Sequence, residues 1–187
     1  MTQTHLDVER LLAYEAIRQL AARYAVAVDA RDLDTLVDLF VDDVRVGALG
    51  VGRAALRRSF TESLHGIGVS ILNIGTHVID PVDNDHATGI VYCKGEIQDG
   101  NRWIHQAIVY EDQYRQDAGR WYFVRRSHRL FYGAEVGTNP LGLPPANWPE
   151  RHEGWGTVPE TWDSWRMFWA DPADEPTDGL TEAKEEL

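Results

Sequence analysis

The residues able to do chemistry in this 187-residue chain cluster around one stretch, Ser70-Ile71-Leu72-Asn73-Ile74-Gly75-Thr76-His77-Val78-Ile79. Read as a strand of period two, it puts Asn73, Gly75 and His77 on one face and Leu72, Ile74, Thr76 and Val78 on the other. A short polar row with a glycine gap suits the floor of a pocket. His77 titrates near neutrality and could act as a general base, taking a proton from carbon or oxygen and returning it elsewhere. Asn73 could donate a hydrogen bond to developing negative charge. Asp29 closes the apolar run Ala25-Val26-Ala27-Val28. Turned inward, its carboxylate would orient a histidine and steady the imidazolium. Each group also has an ordinary structural role: a helix-end cap for Asp29, a hydrogen-bonded core residue for His77.

Two further strands offer candidates. In 102–114, Trp103, His105, Ala107 and Val109 share one face, and Arg102, Ile104, Gln106, Ile108 and Tyr110 the other. If the first set lines the pocket, His105 is a second acid–base group and Trp103 a wall; otherwise Tyr110 and Gln106 take those places. In 120–132, Arg125 or Arg129 could enter as an oxyanion partner, or pair at the surface with the acidic excess.

Positioning these groups falls to elements whose periodicity is legible. Residues 5–29 carry an apolar stripe of Ala13, Ile17, Leu20, Tyr24 and Ala27, which predicts a long helix, with Asp7 as its N-cap. Asp32 can cap a second helix carrying Leu33, Leu36, Val37 and Phe40. Residues 44–51 read as a short strand with glycines, and 53–64 as a third helix. Four long strand-like segments follow, 69–79, 87–97, 102–114 and 120–132, separated by turn sequences such as Gln98-Asp99-Gly100-Asn101. Helices followed by consecutive hairpins predict an α+β fold, an antiparallel or mixed sheet curling against three N-terminal helices. After Gly133 the chain becomes irregular and Trp-rich. Trp162, Trp165 and Trp169 would line one side of a short helix starting near Pro159, packed on the domain or on a partner subunit. The expected organisation is one domain over 1–134, a Pro/Trp-rich extension over 135–171 and an acidic, disordered tail over 172–187.

Composition narrows the function classes. A net charge of −12 argues against a nucleic-acid surface. The one cysteine, Cys93, reads as a small buried residue and permits no disulfide within the chain. No apolar run approaches the ~20 residues of a membrane span, which makes a cytoplasmic protein the expectation. Metal-ligand spacings such as His-Glu-x-x-His, glycine-rich nucleotide loops and a Gly-x-Ser-x-Gly elbow are all lacking, so neither metal nor cofactor is expected.

Two stretches carry a family resemblance. Arg23-Tyr24-Ala25-Val26-Ala27-Val28-Asp29-Ala30-Arg31-Asp32, with the following 33–43, resembles the start of the SnoaL-like group of the nuclear transport factor 2-like superfamily. Tyr114-Arg115 and Gly119-Arg120-Trp121-Tyr122-Phe123 resemble its last hairpin. The likeness spans roughly 5–134. It implies a cone-shaped α+β barrel with a deep apolar cavity, and activities like those of scytalone dehydratase, dehydrochlorinases and ketosteroid isomerase, mostly without cofactor. It also implies a homodimer or higher homo-oligomer. Several eliminating members use an Asp–His dyad. Asp29 matches the aspartate, but Asn73 stands where the histidine usually lies and His77 where relatives often carry Asn. Residues i and i+4 of a strand are about 13 Å apart, so this exchange relocates the base. The resulting expectation is a cofactor-independent lyase for an apolar, aromatic small molecule, with His77 or His105 as base and Asp29 as its partner. Tyr24, Asn73, Trp103, Tyr110 and Arg129 are the expected substrate contacts. An isomerase or cyclase and a plain binding protein are the alternatives.

Overall fold

The computed structural model describes residues 3–81, 83–146 and 150–170; the expected tail, 172–187, lies outside the described residues. Helix α1 (Gln3–Asp29) is followed by α2 (Leu33–Asp38) and α3 (Arg53–His65). A four-stranded antiparallel meander follows: β1 (Ser70–Pro81), β2 (His86–Asp99), β3 (Arg102–Asp117) and β4 (Arg120–Val136), in the spatial order β1-β2-β3-β4. A short helix, α4 (Asp163–Trp169), closes the described chain.

The local chemistry accounts for most boundaries. Asp32 caps α2 by accepting the Thr35 backbone N–H at 3.0 Å. Two boundaries differ from expectation. Helix α1 already begins at Gln3, so Asp7 lies inside it rather than at its cap. Residues 44–51 form no strand: a 3-10 turn over Gly47–Leu49 is spanned by a single bridge between Arg45 and Val51. Three glycines at 47, 50 and 52 with positive φ hold that loop in conformations a strand cannot use.

The helices cover the inner face of the curved sheet. Ile17 and Leu20 pack with Phe40, Leu56, Tyr114, Trp121 and Phe123. Ala21 meets Val91, Cys93, Ile108 and Tyr110. Ala27, Val28, Leu36 and Leu64 form a third cluster, and Tyr24 touches all three. Each such large apolar side chain taken from water contributes about 1.5–3 kcal/mol.

Irregularities in the ladder decide which residues face inward. Ile74 pairs with Cys93, but His77 pairs with Val91, so β1 carries one extra residue at Gly75-Thr76. This bulge turns His77 onto the inner face with Leu72, Ile74 and Ile79. The expected face shared by Asn73 and His77 does not exist; Asn73 is exposed on the outside. A second bulge at Val124 lets Phe123 and Arg126 both point inward. Exposed Ile71, Ile90, Tyr92 and Phe131 remain on the outer face.

Candidate active site

Asp29 is the last residue of α1, and its carboxylate is turned inward against β1. Oδ1 accepts the Ser70 hydroxyl at 2.9 Å and Oδ2 the Leu72 backbone N–H at 2.8 Å. Burial lifts its pKa to about 6, against the pull of these hydrogen bonds and of nearby Arg31. Arg31, in the left-handed region at φ 56°, does not pair with Asp29 directly. Its guanidinium donates to the Val28 carbonyl at 2.5 Å, to Ser70 Oγ at 2.9 Å and to the Gly68 carbonyl. Ser70 therefore relays between cation and carboxylate. The C-terminal extension closes this end: Trp165 stacks on Arg31 at 4.9 Å, and Ser164 bonds the Ala30 carbonyl at 2.7 Å.

His77 stands at the other end of the inner face. Four ladder steps separate it from Leu72, about 13 Å along the strand, and no hydrogen bond joins it to Asp29. Its Nε2 instead meets the Tyr114 hydroxyl at 3.1 Å. Tyr114 donates to Asp112 Oδ2 at 2.8 Å. Arg126 clamps the same carboxylate with Nε at 2.9 Å and Nη2 at 2.7 Å. Both ionic side chains are almost wholly buried, 3% exposed for Arg126 and 0% for Asp112, so their pairing is what makes burial tolerable. Gly89 gives this network room, since a Cβ there would lie 3.0 Å from the Tyr114 hydroxyl and 2.9 Å from the Val78 carbonyl.

The network assigns a tautomer. A tyrosine hydroxyl has one hydrogen, and Tyr114 gives it to Asp112. Toward His77 it offers only a lone pair, so the imidazole carries its hydrogen on Nε2 and its free lone pair on Nδ1. Burial lowers the His77 pKa; Asp112 opposes this, while Arg126 and Arg18 add to it. The ring is therefore neutral at pH 7, the form a base requires.

The expected contacts divide. Tyr24 and Tyr110 face the interior, with Arg126 stacked 4.4 and 4.3 Å from their rings. His105 lies on the opposite face from Tyr110, exposed, 3.5 Å from Glu96. Trp103 bonds the same glutamate through its indole N–H at 2.9 Å and packs against Val69 and Trp165. Arg129 is exposed beside Glu111, on an open outer hollow of about 360 Å³. Asn73, His105 and Arg129 thus lie exposed on the outer surface, where strand alternation puts them, and Trp103, on that same face, is buried in a separate cluster with Val69 and Trp165 rather than beside Asp29 or His77. Sequence reasoning missed Asp112, Tyr114 and Arg126. The first two share the face of Tyr110 at period two and were legible on that ground; Arg126 was concealed by the bulge. His128 also faces Tyr110, with ring centres 5.6 Å apart. Among the described residues, potential metal ligands gather at Asp83, Asp85 and His86, an exposed turn where Asp83 caps the backbone N–H groups of Asp85 and His86.

Known proteins share this architecture. Gamma-hexachlorocyclohexane dehydrochlorinase of Sphingobium indicum is 29% identical over 136 residues, 65% of this chain and 82% of the relative. The crystal structure of a type 2 hexachlorocyclohexane dehydrochlorinase, LinA, superposes with a TM-score of 0.61 at 25% identity, covering 70% of this chain and 93% of that one. A scytalone dehydratase-like protein of Novosphingobium aromaticivorans gives a TM-score of 0.61 at 19% identity over 71% of this chain and 93% of its own, a likeness of fold alone. Among the described residues no helix is long and apolar enough to cross a membrane. The family model for the SnoaL-like domain matches residues 9–127, the span that builds α1, the sheet and the inward-facing polar groups, and the chain belongs to that family.

Proposed function

We propose that the protein is a cofactor-independent lyase acting on an apolar, aromatic small molecule. The observation that carries the reading is His77: an inward-facing, neutral imidazole whose tautomer is fixed by Tyr114 and whose Nδ1 lone pair is free. Nδ1 takes a proton from carbon. The C–H electrons form a double bond, the bond to a leaving group on the neighbouring carbon breaks, and water, a small aldehyde or halide departs. For a departing oxygen the same imidazolium returns the proton. Beside it lies the Tyr114 ring, and along the inner face between it and Asp29 run the apolar and aromatic side chains of Tyr24, Leu72, Ile74, Tyr110 and Phe123. Asp29, titrating at about 6, stands at the far end as a second group able to exchange a proton near neutral pH. Kinship with dehydrochlorinases supports the reaction class. The expected homo-oligomer is assigned to the outer sheet face, where Tyr92 and Phe131 pack edge-to-face in an exposed apolar patch.

The test measures chloride release from gamma-hexachlorocyclohexane and water loss from an aryl β-hydroxyketone. Turnover of either is expected to fall about 10²–10⁴-fold in His77→Ala with the fold intact. It should also decline at acid pH, where the imidazole, its pKa held below the ordinary 6.5 by burial, takes up a proton. Undiminished turnover in His77→Ala would discard this base. The separation of Asp29 from His77 favours one second reading, an isomerase in which one group takes a proton and the other gives one. Solvent deuterium appearing in a product otherwise unchanged in mass would select it.

A further inference from the structure

Away from the inner face of the sheet, an open hollow of about 610 Å³ lies between α1, α2 and the turn joining β3 to β4. Its volume falls in the range of small-molecule sites, about 300–1,000 Å³. It shares no residue with the Asp29–Ser70–Arg31 or His77–Tyr114–Asp112–Arg126 networks. Leu20, Leu39 and Trp121 line it and are buried, so they form its floor. Arg23 and Arg120, both exposed, line it too. Two donors here are unanswered by the protein. The Trp121 indole Nε1 is buried and meets no acceptor. An indole N–H can only donate, and leaving it unmet is costly. Arg23 makes no hydrogen bond or ion pair among the described residues.

The charges around the hollow narrow its ligand. Arg120 is already held by Asp38 Oδ2 at 2.7 Å and lies 4.8 Å from the Tyr122 ring centre. Asp38 is shared with Arg53 at 3.1 Å. In a chain of net charge −12, two guanidinium groups here line one hollow with a single carboxylate. That balance recruits one negative charge, while Asp38 opposes a dianion such as a phosphate monoester. Planar guanidinium pairs well with a carboxylate. The buried floor offers flat apolar area to the rest of the molecule. We propose that the hollow is a second ligand site, for a small aromatic carboxylate. The carboxylate sits between Arg23 and the Trp121 indole N–H, and the ring rests on Leu20, Leu39 and Trp121. This site stands independently of the lyase reading.

The experiment titrates 2-naphthoate and 2-naphthamide, alike in shape and different in charge, into the 187-residue chain. The readout is the ¹H–¹⁵N spectrum of its seven tryptophan indoles. The Trp121 signal is identified by its loss in Trp121→Phe or, should that variant not fold, by through-bond correlation to its backbone. It should move saturably with 2-naphthoate. The acid should bind about fivefold tighter than the amide, the worth of one partly exposed ion pair. In Arg23→Gln, a surface change that leaves the fold intact, this preference should fall toward one. 2-Naphthyl phosphate should bind no better than the acid. An unmoved Trp121 signal, as for a probe held at Asp29 or His77, would overturn the assignment. So would equal binding of acid and amide, binding of neither, a preference retained in Arg23→Gln, or tighter binding of the phosphate. None of these outcomes bears on turnover, so the lyase reading stands or falls separately.

Discussion

Among the described residues, the aspartates Asp112 and Asp29 both turn toward the interior, and they are held in opposite ways. Asp112 is clamped by both Nε and Nη2 of Arg126 and receives the Tyr114 hydroxyl besides. Asp29 is met only by neutral donors, a serine hydroxyl and a backbone N–H, with Arg31 one residue removed through Ser70. The fully paired carboxylate serves as a rigid anchor that orients other groups. The incompletely compensated one is left with a pKa of about 6, close enough to neutrality to exchange protons. Depth of burial alone does not separate anchor from reagent; the charge of the partner does.

The sharpest way to break the comparison is to remove one member of the ion pair. Asp112→Leu strands a buried guanidinium and should cost about 3–5 kcal/mol in denaturant unfolding, whereas the double variant Asp112→Leu/Arg126→Met should recover most of it. If the double variant is no more stable than the single, the pair is not what Asp112 provides. Tyr114→Phe comes next, at about 1–2 kcal/mol. Its diagnostic readout is the ¹⁵N spectrum of His77: a single Nε2–H tautomer in the parent should become a mixture in the variant.

The Asp29 end predicts a pH signature. Its carboxyl is 3.8 in an ordinary setting and about 6 when folded, so folding favours the protonated form. Stability should therefore decline as pH rises from about 4 to about 6, by up to about 3 kcal/mol, and level off above. Asp29→Asn should flatten that stretch of the unfolding profile. His77, lowered by burial, works the other way: the unfolded ring takes up its proton first, so stability is lost as pH falls below 6.5. The smallest effects belong to the outer surface. His105→Ala, Asn73→Ala and Arg129→Ala should each leave turnover within about twofold and stability within about 0.5 kcal/mol. A large loss in any of them would move the reacting centre to the other side of the sheet.

Much of the scaffold was readable because its signals are local. The stripe Ile17, Leu20, Tyr24 and Ala27 is α1, Asp32 is a cap, and the Asp-Gly and Ala-Gly turns delimit the hairpins. The site was legible only where alternation runs unbroken. On β3 the unbroken period puts Tyr110 and Tyr114 on one side and His105 on the other. On β1 and β4 a single extra residue inverted the reading, reversing the relation of Asn73 to His77 and hiding Arg126 behind Arg125 and Arg129.

By itself the sequence determined the α+β order of elements and the family kinship, since each depends on residues near one another in the chain; whether the Asp29 carboxylate turns inward or caps a helix end it left open. Tertiary structure alone decided the partners: that Asp29 meets Ser70 and Leu72 while His77 meets Tyr114. A strand's period is two, so one bulged residue moves every later side chain to the opposite face. The cost of that shift depends on pairings with strands far away in sequence, which no local pattern records.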